Sequence, residues 1–189
     1  MLKEAQEEDD KTGLSRCYNI MSQIYTVKRL DSMAFEWQLK EIELTEKYDL
    51  ENYNISQTYS QISSYYINTN QPEKALEALK KADATAYSPT QKISVQLEYV
   101  NYYSKFGDMQ AAEKILNECK TAFDQDKRLW SIKKRLYNIE YVYYLQSKQY
   151  PKALEAAKKQ EAEELNLSES IQNSVHYLTK GKYTAIWVI

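Results

Sequence analysis

The side chains able to carry chemistry are few and scattered. The single histidine, His176, has no serine, cysteine or carboxylate motif around it that would make it a general base, and it reads as a helix-surface or packing residue. The two cysteines, Cys17 and Cys119, have no histidines at zinc-binding spacing. No glycine-rich phosphate loop and no nucleophile with a partnered base is found, so no catalytic residue, metal or cofactor is expected. The stretch Lys127-Arg128-Leu129-Trp130-Ser131-Ile132-Lys133-Lys134-Arg135 interleaves an aromatic with charge, as nucleic-acid patches do. Leu129, Ile132 and Leu136, however, form a helical apolar stripe that leaves its charges on a solvated face. The remaining recognition chemistry is aromatic, because 18 tyrosines are present. Exposed, they would form a stacking platform for bases, sugars or aromatic peptides.

Composition limits the elements that can position these groups. With 43% hydrophobic and 28% charged residues, 189 residues suffice for one well-buried core. Only 3 Gly and 3 Pro are present, too few to punctuate an all-β chain, which predicts an all-α fold. A net charge of −2 offers no field to hold a polyanion, so no nucleic-acid partner is expected. No apolar run reaches the eighteen or more residues of a membrane span, and the opening residues are acidic where a secretory signal is basic. A soluble chain is expected, cytoplasmic, or periplasmic if it belongs to a membrane-anchored sensor.

Spacing organises the chain. Tyr25/Ala34, Tyr66/Ala75, Tyr103/Ala112, Tyr144/Ala153 and Tyr177/Ile186 repeat one interval of nine residues, and successive tyrosines lie 41, 37, 41 and 33 residues apart. Such a period is that of stacked helical hairpins. These five tyrosines are predicted to fill the gap between helices, with the hydroxyl at the wet edge. Tyr65, Tyr102 and Tyr143 lie a turn of about 100° away, and packing or groove exposure both remain open for them.

Local signals place the hairpins. Tyr59, Ile62, Ser63 and Tyr66 form one helical stripe; Asn70 is predicted to cap the next helix, with Pro72 in its first turn and Glu73 reaching back, and Ala75, Leu79 and Ala82 form that helix's inner face. Ser88-Pro89-Thr90-Gln91 predicts a capping box, and Gly107-Asp108 a left-handed stop followed by a cap. Cys17 falls in the first hairpin and Cys119 in the third. With helices about 8–10 Å apart, their backbones are separated by more than the ~7 Å a disulfide tolerates, so both are expected to be free. Glu77/Lys81 and Glu155/Lys159 have the i, i+4 spacing of helix-supporting pairs.

These residues resemble the tetratricopeptide repeats, with Tyr59, Ile62, Ser63, Tyr66, Ala75, Leu79 and Ala82 in register and Tyr18, Met21, Ser22, Tyr25 and Ala34 matching in the first unit. The fourth unit departs, with Glu140 and Tyr141 where an apolar and a small residue belong. The resemblance implies a right-handed α-solenoid of about five antiparallel helix pairs in a single domain, 1–189, with units near 12–50, 51–87, 88–125, 126–165 and an incomplete 166–189. It also implies a ligand-binding groove on the first helices, lined by Asn19, Gln23, Ser60, Ser64, Asn101 and Asn138. Their amides and hydroxyls suit an extended peptide backbone and cannot clamp a carboxylate. That they are ordinary solvated positions stays open.

The function expected is a protein- or peptide-binding repeat module, in the setting of a sensory or regulatory segment of a bacterial signalling or transcription-regulatory protein. The alternative is a helical-repeat nucleic-acid binder or a non-catalytic domain of an enzyme. The apolar run from Thr184 to Ile189 and the abrupt start from Met1 to Lys11 suggest a segment of a longer protein, or an end covered by self-association.

Overall fold

A computed structural model describes residue 5 and residues 9–165, and among these every regular element is helical. The helices are α1 (Lys11–Val27), α2 (Asp31–Tyr48), α3 (Ile55–Asn68), α4 (Pro72–Thr85), α5 (Pro89–Phe106) and α6 (Met109–Gln125). A 3₁₀ turn, Lys127–Ile132, leads into α7 (Lys133–Gln146), and 150–165 is helical again as α8. Consecutive helices pack as antiparallel hairpins, α1 with α2, α3 with α4 and α5 with α6; each second helix also touches the first helix of the next pair. α3, α5 and α7 lie side by side, which makes the architecture an α-solenoid. The fifth unit, with His176, Tyr177, Ile186 and the apolar run to Ile189, lies outside the described residues.

The tyrosine–alanine interval has a physical basis at both ends. Ala34, Ala75, Ala112 and Ala153 are all buried, and the Ser63 hydroxyl donates to the Ala75 carbonyl at 3.0 Å, which shows how closely the two helices of that hairpin approach. Four residues beyond each described tyrosine stands a residue in the left-handed region: Arg29 (φ 58°), Asn70 (φ 59°), Gly107 (φ 99°) and Lys148 (φ 59°). The tyrosine carbonyls accept the bonds that close these turns, from Leu30, Gln71, Gly107 and Gln149. Each first helix therefore stops by the same left-handed device. The cap expected of Asn70 is thereby corrected: it forms the turn, and Gln71 precedes α4 without a side-chain cap. The Ser88–Gln91 capping box, Pro89 at the first helical position, Gly107 as stop and Asp108 as cap are all formed.

The core runs through the stack in two clusters. Ile42, Tyr59, Ile62, Leu79, Ala82 and Val95 join α2 to α5, and Leu97, Val100, Leu116, Phe123, Leu136 and Tyr143 join α5 to α7. Of the described repeat tyrosines, all half-buried, Tyr66, Tyr103 and Tyr144 pack at the rim of these clusters, whereas Tyr59 and Tyr143 are inside. Of the three tyrosines left open, Tyr143 is core, Tyr65 stacks on Phe35 at 4.0 Å between ring centroids, and Tyr102 packs edge-on to Tyr103. Cys17 and Cys119 are buried free thiols.

Candidate functional site

The groove positions fall into two kinds. Asn19, Ser64 and Asn101 are half-buried and donate to glutamates inside the stack. The Asn19 amide reaches both oxygens of Glu41 (3.2 and 3.1 Å), Ser64 donates to Glu98 Oε2 at 2.8 Å, and Asn101 does so at 3.4 Å. Ser60 is buried, its hydroxyl donating to the Ser56 carbonyl at 2.9 Å, a bond within its own helix. Gln23 and Asn138 are exposed, and Gln23 donates to Asn19 Oδ1 at 2.6 Å. Asn19, Ser64 and Ser60 each line a cavity, of about 510, 400 and 180 Å³.

Three buried glutamates were not foreseen, apart from the oddity of Glu140 in an apolar position. Glu98 on α5 accepts Arg135 Nη2 of α7 at 2.6 Å, and Glu140 on α7 pairs with Lys120 of α6 at 2.7 Å. Arg135 therefore does not belong with the solvated charges of its basic stretch. Among the described residues, Glu41 on α2 has neutral donors only: Asn19, Asn52 at 2.8 Å and Thr58 at 3.1 Å. Burial pushes the Glu41 carboxyl above the ordinary range, and its three donors pull the other way. For Lys120, burial lowers the ammonium, but Glu140 beside it more than offsets this and holds it above the usual lysine value.

Burial pushes the Cys119 thiol up to about 12, so it is not a thiolate nucleophile at neutral pH. Burial, followed by the bond to Glu46, raises the Tyr59 phenol. Among the described residues no cluster of three His, Cys, Asp or Glu could hold a metal, and no helix is long and apolar enough to cross a membrane. A second surface gathers Lys120, Lys127, Lys133 and Lys159 with Trp130 and Tyr137 around about 430 Å³. Its lysines are largely engaged: Lys133 pairs with Glu163 and Lys159 with Glu155, both at 2.7 Å. Of the expected i, i+4 pairs only the last forms, since Lys81 turns instead to Glu46 at 3.0 Å.

Fold and site together define a helical-repeat scaffold whose polar inner positions brace buried carboxylates. The chain belongs to the family described as 26S proteasome subunit RPN7, which it matches over residues 3–178. No curated protein and no solved structure matches it.

Proposed function

We propose that this chain is a non-catalytic scaffold that binds other proteins within a multi-subunit assembly of the proteasome type. The observation that carries this is the family match, which spans nearly all the hairpins. The individual hairpins are read as tetratricopeptide-like units, on the Tyr59-to-Ala82 register. Nothing in the match favours the bacterial-signalling setting or the nucleic-acid alternative.

The binding surface proposed is the first-helix groove of Asn19, Gln23, Ser60, Ser64, Asn101 and Asn138. Gln23 and Asn138 are its accessible donors, and Asn19, Ser64 and Asn101 contribute while still bracing their glutamates. Native affinity purification of the tagged chain from its own cells, followed by mass spectrometry, tests the assembly. Recovery with proteasome-type subunits in fixed ratio is expected, and recovery alone or with an unrelated machine overturns it. Replacing Asn101 and Asn138 by alanine is expected to weaken capture of those subunits. The melting temperature should barely move, because Glu98 keeps Ser64 and Arg135. Undiminished capture would move the site to the second helices or the loops.

A further inference from the structure

The three interior glutamates allow a comparison within one molecule. Glu98 is surrounded by a hydroxyl (Ser64), an amide (Asn101) and a guanidinium (Arg135). Glu41 has the hydroxyl (Thr58) and the amides (Asn19, Asn52), but among the described residues no cation lies within pairing distance. It is also the most deeply buried of the three, at 1% exposure. A buried carboxylate without a counter-charge is unfavourable by far more than neutral hydrogen bonds return.

Where Glu98 meets an arginine of the next first helix, Glu41 borders a cavity, enclosed behind its amide donors Asn19 and Asn52. α1 barely touches α3, unlike α3, α5 and α7 among themselves. The gap is the cavity of about 510 Å³, lined by Glu41, Asn19 and Asn52 together with Arg16 and Glu51. One of the present donors is divided between two acceptors. The single Asn19 amide is shared between both oxygens at 3.2 and 3.1 Å, at the long end of the normal range. A forked cation can supply both at once.

We infer that the cleft between the first two hairpins is a binding site for one basic side chain of a partner protein, an arginine or lysine, with Glu41 as its counter-ion. The inference rests on the interaction function proposed above and specifies the partner's chemistry. Asn52 and Thr58 orient the carboxylate, Asn19 yields its place to the incoming cation, and Glu51 adds negative charge to the same lining.

The test uses the full chain and N-acetyl-arginine amide as probe, with N-acetyl-citrulline amide as its neutral isostere, followed by NMR of the Glu41 carboxyl and of the Asn19 and Asn52 side-chain amides. Saturable shifts are expected with the arginine probe. Citrulline, or Glu41→Gln, should bind at least about tenfold more weakly, the loss a charge-assisted hydrogen bond represents. Should Glu41→Gln fail to fold, the unmutated chain serves: protonating Glu41 by lowering the pH must weaken the arginine probe by the same factor. Equal binding of citrulline, undiminished binding to Glu41→Gln or to the protonated chain, or no saturable shift overturns the proposal. Arginine binding that emerges only in Arg16→Gln also overturns it, because Arg16 would then be the cleft's own cation. Failure here leaves the co-purification result standing, and arginine binding by a chain that co-purifies with nothing would sink the assembly instead.

Discussion

Glu41, Glu98 and Glu140 show how much a single residue's neighbours decide. All three are enclosed, yet two find a lysine or arginine and one finds, among the described residues, only amides and a hydroxyl. The consequence for Glu41 is a pH dependence of definite sign. Its folded carboxyl binds a proton more tightly than the unfolded one, so its contribution is fully present below the unfolded value, about 4.3, and is lost as pH rises through the folded value. Chemical denaturation across mildly acidic to neutral pH should show stability falling over this window, and Glu41→Gln should flatten that part of the profile. A slope unchanged in the variant would mean that other groups set it. None of this could be read from spacing. A glutamate looks solvated in a sequence, and only Glu140, standing at a repeat position that should be apolar, carried a signal. The amides were legible as polar positions on the first helices; the Asn101–Glu98 contact has the i, i+3 spacing of one helix, but the bonds of Asn19 to Glu41 and of Ser64 to Glu98 depend on side chains brought in from other helices.

At the scale of the element, the tyrosine–alanine interval was legible because two local requirements fix it: a left-handed turn four residues after the tyrosine, and a small residue where the second helix crosses the first. Only Gly107 announced the turn. Arg29 and Lys148 adopt the same conformation without a residue that favours it, while Asn70 tolerates it but equally suits a helix cap, so its type does not separate the two roles. A side chain with a Cβ is strained there, more so for lysine than for asparagine. Lys148→Gly should therefore stabilise by about 0.5–1 kcal/mol, since the relieved strain exceeds the added chain entropy; an unchanged or lower melting temperature would count against a strained turn. The crossing position makes the opposite prediction. Ala75 is completely buried against Ser63 and Glu77 is exposed, so tryptophan at Ala75 should cost ~1–3 kcal/mol or more and the same change at Glu77 little. Equal shifts in the two melts would mean the faces of α4 are misassigned.

For the whole molecule, a stack of hairpins is only as cooperative as its layer boundaries, since each layer's stability is its own plus that of its contacts with neighbours. The boundary between α5 and α7 combines an apolar cluster with the Glu98–Arg135 pair, whose carboxylate is enclosed while its guanidinium keeps some exposure. Ser64 of α3 holds the same carboxylate from the other side, so Glu98 ties three successive first helices together. Removing the cation strands the carboxylate. Arg135→Ala should cost about 2–3 kcal/mol, less than the full loss for a completely enclosed pair because water still reaches the arginine. Restoring neutrality with Glu98→Gln in the same chain should recover part of that loss, which loss of arginine packing alone would not allow. The damage should also be local in its cooperativity. Native-state hydrogen exchange is expected to show α7 and α8 opening at lower free energy than α3 and α4 in Arg135→Ala, where the parent opens all four more nearly together. Uniformly faster exchange along the chain would mean that the pair supports the fold as a whole and does not couple one layer to the next.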